Sequence, residues 1–147
     1  MSLRCGLYAV NALLRHLKTA SPVDAAELDD LTVDLHSRER AVCPDGTDLV
    51  PDREGNYPVE TLMLALAQRG LHCAFVRTVP PAPPRGTVGY LLATGSHYLS
   101  VVRQPGRDWQ LVNNGDVTDT DAHHPGLIVR RNHIRARAVL QVTVKPR

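Results

Sequence analysis

The sequence Cys5-Gly6-Leu7-Tyr8-Ala9-Val10-Asn11-Ala12-Leu13-Leu14, near the start of the chain, is the segment around which the predicted fold is organised. Its apolar residues recur at the spacing of a helix with one buried face, which predicts a helix from about Cys5 to Lys18. The cysteine occupies the predicted helix N-terminus, where unpaired backbone N–H groups and the helix dipole favour a thiolate. Cys5 is therefore a candidate nucleophile, with a small buried apolar residue as the alternative interpretation.

Composition indicates a globular protein. The chain has 147 residues, 43% of them hydrophobic and 22% charged, which predicts a single domain over residues 1–147. A net charge of +2 is too small to indicate nucleic acid or an anionic membrane surface, so we expect neither as a partner. Three cysteines without metal-ligand spacing favour free thiols. We expect a monomer in the cytoplasm or the nucleus, without a transmembrane segment.

The pattern changes from helical to extended near the middle of the chain. Ser21-Pro22-Val23-Asp24 is typical of a helix start with Ser21 as the N-cap, and this second helix is predicted to reach about Arg40. Residues 43–57 are rich in Pro, Asp and Gly and predict a surface loop, after which a third helix begins at Pro58 and ends near Gly70. The chain therefore begins with three predicted helices.

Strands are predicted after the helices. The period of two indicates strands over residues 71–76, 87–93, 97–103 and 109–113. Residues 114–126 are predicted to be polar and irregular, and two more apolar segments, 127–130 and 138–144, are predicted to complete the sheet. The fold class is therefore α+β, with N-terminal helices packed on an antiparallel sheet.

A catalytic cysteine needs a base that takes its proton and a third group that orients that base. His97 begins a predicted strand and Asn113 ends the next one. A hairpin that closes over residues 104–108 would bring its open ends together and place His97 beside Asn113. The chain order Cys, His, Asn is the papain-like arrangement. Asn114 is an alternative orienter, but side-chain alternation along the strand favours Asn113.

These segments resemble the Josephin family of papain-like cysteine proteases, which hydrolyse ubiquitin linkages. The resemblance covers roughly residues 2–115. It rests on the nucleophile helix, the Ser-Pro-Val helix start, the Gly-Asn-Tyr segment before the third helix and the two strands of the hairpin. The corresponding ranges are 5–14, 21–40, 55–59, 97–101 and 109–113.

The resemblance implies a papain-like deubiquitinase, a thiol protease that hydrolyses isopeptide or peptide bonds at the ubiquitin C-terminus. Carried over residue by residue, Cys5 is the nucleophile, His97 the general acid/base and Asn113 the orienter. Ubiquitin or polyubiquitin is the implied partner, and no cofactor or metal is implied.

One departure from the family leaves alternatives open. The family places an oxyanion-binding glutamine shortly before the cysteine, whereas residues 1–4 contain no glutamine. Such a donor contributes about 10²–10³ in rate. The alternatives are a weak enzyme, a numbering that starts downstream of that glutamine, and an inactive ubiquitin-binding module. A papain-like peptidase acting on a substrate other than ubiquitin is a further alternative.

Two charged clusters near the C-terminus also allow two interpretations. The acidic cluster with its two histidines could suggest a metal site, but its spacing favours a solvated turn. The arginine run favours a charged strand edge, with a partner-binding surface as the alternative. The residues are Asp116, Asp119, Asp121, His123 and His124 in the first cluster, and Arg130, Arg131, Arg135 and Arg137 in the second.

Overall fold

The computed structural model describes residues 5–15, 17, 21–42, 57–95, 97–103 and 108–144. As predicted, three helices come first within these residues and strands follow, but a fourth helix precedes the last strand. The helices and strands are α1 (Cys5–Leu14), α2 (Ala25–Val42), α3 (Val59–Ala67), β1 (Leu71–Val76), β2 (Thr87–Ala93), β3 (Tyr98–Arg103), β4 (Trp109–Asn113), β5 (Asp116–Ala122), α4 (Pro125–Arg131) and β6 (Ala138–Val144). The prediction of helices combined with an antiparallel sheet is confirmed.

The strands of the described residues form a six-stranded antiparallel sheet in the order β1-β6-β2-β3-β4-β5. Strands β2 to β5 form a meander, in which each strand pairs with the next along the chain. Strand β6 returns from the far end of the chain and pairs with both β1 and β2. Because of this insertion, β1 and β5 are the two edge strands.

Both faces of the sheet are buried, because side chains alternate between them along each strand. On β2, Leu91 belongs to one hydrophobic core, whereas Tyr90 and Leu92 belong to the other. Helices α1, α2 and α3 pack on the first face. Helix α4 covers the second face through the fully buried Ile128.

The sequence prediction was wrong between residues 114 and 130. Asp116–Ala122, predicted to be irregular, form β5, an edge strand that buries only Ala122 and so lacks an apolar pattern. Residues 127–130, predicted to form a strand, lie in α4. His124 caps this helix, because its Nδ1 accepts a hydrogen bond from Leu127 N at 3.2 Å, and Pro125 suits the first helical position.

The junction between α1 and α2 also differs from the prediction. Helix α1 ends at Leu14, and α2 begins at Ala25 rather than after Ser21. Asp24 caps α2, because its Oδ1 accepts a hydrogen bond from Glu27 N at 2.8 Å. The predicted loop over residues 43–57 lies outside the described residues, except for Tyr57.

Asn11 fastens α1 to the segment that leads into α2. Its Nδ2 donates to Val23 O at 2.9 Å, and its Oδ1 accepts from Val23 N at 2.7 Å. Val23 itself is buried. The amide therefore satisfies both backbone groups of a buried residue, as a neighbouring strand would.

We expect Asn11→Ala to lower the free energy of unfolding by about 2 kcal/mol, because two buried backbone groups lose their partner. Urea denaturation followed by circular dichroism measures this change. Asn114→Gly is the matched control, since Asn114 is exposed in a turn with φ 51°, a value that glycine adopts without strain. An Asn11→Ala midpoint equal to that of wild type would show that Asn11 does not hold the junction.

Among the helices in the described part of the chain, none combines the length and the hydrophobicity that a transmembrane span requires.

Candidate active site

Cys5 is the first residue of α1 and its side chain is buried. The N–H groups of the first turn of a helix have no partner within the helix, and the dipole places partial positive charge there. The first turn of α1 therefore offers backbone N–H groups to an anionic group bound next to Cys5. The sequence prediction that Cys5 begins the first helix is confirmed.

Two contacts hold α1 against β3. The buried Ser100 Oγ donates a hydrogen bond to Ala9 O at 2.7 Å. One turn earlier, the Tyr98 ring lies against Gly6, where an added Cβ would come within 3.3 Å of Tyr98 Cδ2. Together these contacts place the N-terminal turn of α1, and hence Cys5, at the beginning of β3.

His97 directly precedes β3, at the end of a tight turn from β2. Thr94 closes this turn, because its N–H and its hydroxyl both donate to His97 O, at 2.9 and 3.2 Å. Gly95 adopts φ +114°, which a residue with a side chain would adopt only with strain. The turn therefore fixes the backbone of His97 next to Tyr98 and the first turn of α1.

Asn113, the last residue of β4, contacts His97 across the hairpin. The distance between His97 Nε2 and Asn113 Oδ1 is 2.6 Å. Strands β3 and β4 pair with Ser100 opposite Val112, so the contact runs diagonally between the strand ends. Because an amide oxygen only accepts, Nε2 is the donor in this contact. The other ring nitrogen, Nδ1, is then the one left to exchange a proton with a neighbouring group.

The alternative orienter, Asn114, lies in the turn between β4 and β5. Asn114 and Gly115 have positive φ values of 51° and 86°, which two-residue hairpin turns of type I′ require. Asn114 is exposed, whereas Asn113 is the asparagine in contact with His97. The turn also meets α1, because Arg15 Nη2 donates to Gly115 O at 3.3 Å.

Tyr98 borders the candidate nucleophile. Its hydroxyl donates to Tyr57 O at 2.6 Å, which ties β3 to the segment before α3. Burial raises the pKa of Tyr98 to about 12, and the negative charges of Cys5 and Glu60 act in the same direction. Tyr98 therefore lies close both to the thiol and to Glu60.

Sequence reasoning missed the supporting residues Thr94, Tyr98 and Ser100. For Ser100 a signal existed, since it is a hydroxyl between apolar residues of a strand, and a buried hydroxyl needs a partner. Thr94 acts locally, on His97 three residues later, and a threonine beside Gly95 is a turn signal. The role of Tyr98 follows from its contacts with Gly6 and Tyr57, which are far away in sequence, and the sequence pattern contains no local sign of it.

Asp119, a member of the acidic cluster near the C-terminus, connects β5 to the end of α4. Asp119 accepts hydrogen bonds from Arg131 Nε and Nη2 and from Asn132 Nδ2, each at 2.6 Å. The Arg131 guanidinium is the main cause that lowers the pKa of Asp119 to about 2. Within the described residues, no group of three or more His, Cys, Asp or Glu side chains is placed to hold a metal ion.

No protein-family model matches the chain, and no curated protein matches its sequence. Solved structures do resemble the fold. The peptidase domain of Streptococcus ComA, a bifunctional ABC transporter involved in quorum sensing, gives a TM-score of 0.58 at 9% identity over 99% of this chain and 94% of that chain. A double-glycine-motif protease from an AMS/PCAT transporter, solved in complex with the leader peptide, gives 0.54 at 15% identity over 99% and 87%.

A third solved structure is the N-terminal peptidase C39-like domain of a toxin secretion ATP-binding protein from Vibrio parahaemolyticus. It gives a TM-score of 0.42 at 12% identity, over 85% of this chain and 100% of that chain, which is too low to compare the two folds. The other two likenesses show the fold of transporter peptidase domains. That fold is compatible, at the level of its architecture, with the papain-like cysteine protease fold.

The prediction of a Josephin deubiquitinase was wrong, and with it the prediction of ubiquitin or polyubiquitin as partner. The structures that resemble this fold are peptidase domains of ABC transporters, one of them bound to a leader peptide. The error has a physical origin. A cysteine at a helix start, a histidine before a strand and an asparagine at the end of the next strand are what any papain-like site needs, so they do not identify one family.

Proposed function

We propose that the chain is a papain-like cysteine peptidase with Cys5 as nucleophile, His97 as general acid/base and Asn113 as orienter. The observation that supports this most directly is the 2.6 Å contact between His97 Nε2 and Asn113 Oδ1. It occurs at the end of the sheet where Tyr98 meets the first turn of α1. These two contacts support a site that combines His97, Asn113 and the thiol at the start of α1.

The proposed reaction uses these three residues in two steps. His97 Nδ1 takes the thiol proton, and the Cys5 sulfur attacks the scissile carbonyl carbon. The Cys5 N–H at the helix start donates to the resulting oxyanion. His97 then gives its proton to the leaving amine as the C–N bond breaks, which leaves an acyl-enzyme. Water gives a proton to His97 and hydrolyses the thioester, and that proton returns to the sulfur.

The proposed substrate is a peptide with two glycines before the scissile bond. One solved structure with this fold is a double-glycine-motif protease in complex with its leader peptide. The Tyr98 ring packs against Gly6, the residue after the proposed nucleophile, so an aromatic side chain borders the first turn of α1. We propose that this ring narrows the approach to Cys5 and thereby favours glycine residues at the scissile bond.

The proposal is tested with acetyl-Ala-Gly-Gly chloromethyl ketone, an electrophile that alkylates the thiol with loss of chloride. We expect one adduct by intact mass, located after trypsin digestion on the peptide Cys5–Arg15 that follows Arg4. Acetyl-Ala-Leu-Leu chloromethyl ketone is expected to react at least tenfold more slowly, because leucine side chains do not fit beside Tyr98 and Gly6.

Cys73 provides the internal control. Burial raises the pKa of its thiol to about 11, so it contains little thiolate at pH 7 and is expected to react slowly. Cys73→Ala should therefore leave the labelling rate unchanged. Labelling of Cys73 as fast as Cys5, or no adduct on Cys5, would contradict the proposed function. Equal rates with the two ketones would contradict the glycine preference alone.

A further inference from the structure

Arg137 lies across the turn that presents His97. An added Cβ on Gly95 would come within 3.3 Å of both Nε and Cζ of Arg137, so the guanidinium covers the side of this glycine where a side chain would project. The backbone holds the same arrangement, because Arg137 N donates to Ala93 O at 2.6 Å. Both the backbone and the guanidinium of Arg137 therefore contact the segment that leads from β2 to His97.

Arg137 and the candidate triad lie at the same end of the sheet. Strand β6 begins beside the end of β2, with Ala138 opposite Ala93, and His97 and Asn113 follow on the next two strands. Neighbouring strands are about 4.8 Å apart, so the Arg137 backbone lies roughly 10 Å from that of His97. An extended peptide advances about 3.3 Å per residue. A substrate residue that reaches the guanidinium is thus two or three residues from the scissile bond.

The guanidinium of Arg137 is available to a ligand. Arg137 is exposed, and no carboxylate of the described residues forms an ion pair with it. Arg131 in the same basic run differs, because Asp119 neutralises it. A planar cation that forms no ion pair within the described part of the chain, and that lies beside the proposed base, suits a carboxylate, which accepts two parallel hydrogen bonds from a guanidinium.

We propose that Arg137 determines substrate specificity by binding a carboxylate of the peptide, two or three residues from the bond that Cys5 attacks. This inference rests on the proposed peptidase function. The carboxylate is that of an Asp or Glu side chain or of the peptide C-terminus, since both offer the same pair of oxygens. A purely structural role of Arg137 in the turn would change the cleavage of all peptides equally.

The test uses internally quenched ten-residue peptides with a central Gly-Gly, acetylated and amidated at their ends. The two glycines stay directly before the scissile bond, and in each pair one peptide has Glu and the other Gln at a single position, which is the third residue before the bond or the second or third residue after it. We expect wild type to cleave the Glu peptide about fivefold faster, in kcat/KM, than the Gln peptide at one position, since an exposed ion pair has a modest effect. A peptide with a free C-terminal carboxylate at that position, compared with its amide, distinguishes the two sources.

Arg137→Gln should reduce the ratio of Glu-peptide to Gln-peptide cleavage to one. Arg137→Glu should reduce this ratio below one, and it should cleave a peptide with Lys at the same position faster than the Gln peptide. Arg135→Gln removes an exposed arginine two positions away and should leave the ratio unchanged. An equal ratio in wild type and Arg137→Gln, or no cleavage of any carboxylate peptide by a protein whose Cys5 still reacts with the ketone, overturns the inference and leaves the peptidase proposal intact. Failure of Cys5 to react with the ketone overturns both.

Discussion

His97→Ala is expected to lower kcat/KM for a Gly-Gly peptide by about 10³-fold, within the range known for general acid–base residues. The thiol loses its proton acceptor and the leaving amine loses its proton donor. The hydrogen bond to Asn113 Oδ1, at 2.6 Å, also disappears. Initial rates at pH 7 with a quenched peptide measure the loss, and circular dichroism confirms that the variant is folded.

Four further variants extend this test. Cys5→Ala should be at least as inactive as His97→Ala, and the double variant should lose no more than the worse single one, because the two residues act as a unit. Asn113→Ala should lower kcat/KM about tenfold, since the base remains but is no longer oriented. Asn114→Gly, in the adjacent turn, should retain full activity. Activity of His97→Ala within a factor of two of wild type would exclude His97 as the base.

Gly89→Ala is expected to lower the free energy of unfolding by about 3 kcal/mol, near the upper end of overpacking costs. The added Cβ would lie 2.6 Å from Val101 O and 2.7 Å from Leu13 Cδ2. The first of these atoms belongs to the backbone of the paired strand β3, which has no room to shift without breaking the ladder. Because Leu13 belongs to α1, the absence of a side chain at Gly89 allows α1 to pack closely on the sheet.

Urea denaturation of wild type and Gly89→Ala measures this loss, and Gly126→Ala is the matched control. A Cβ on Gly126 would meet its nearest neighbour, Val79 O, at 3.4 Å, and Gly126 lies in α4, where alanine is the better helix former. The control should be as stable as wild type or slightly more so. A Gly89→Ala protein with the wild-type midpoint would show that α1 and β3 tolerate a side chain at this position.

The local pattern of the sequence determined the helices and strands that carry the candidate site. The apolar spacing after Cys5 placed the thiol at the start of α1, and alternating residues placed β3 and β4 as neighbouring strands of a hairpin. The separation of His97 and Asn113 then sufficed to bring these two side chains into contact, because the ends of paired hairpin strands meet. The choice of family did not follow, since such residues are common to papain-like sites.

The pairing and packing of distant segments could not be predicted from local patterns and became apparent only from the tertiary structure. Strand β6 pairs with both β1 and β2, and β5 is a polar edge strand held by backbone pairing rather than by an apolar face. The placement of α1 on β3 depends on Ser100, Tyr98 and the missing side chain of Gly89. Arg137 reaches the His97 turn only because β6 returns beside β2. Each of these contacts joins segments distant in sequence, and the periodicity of one segment contains no information about which distant segment will bury it.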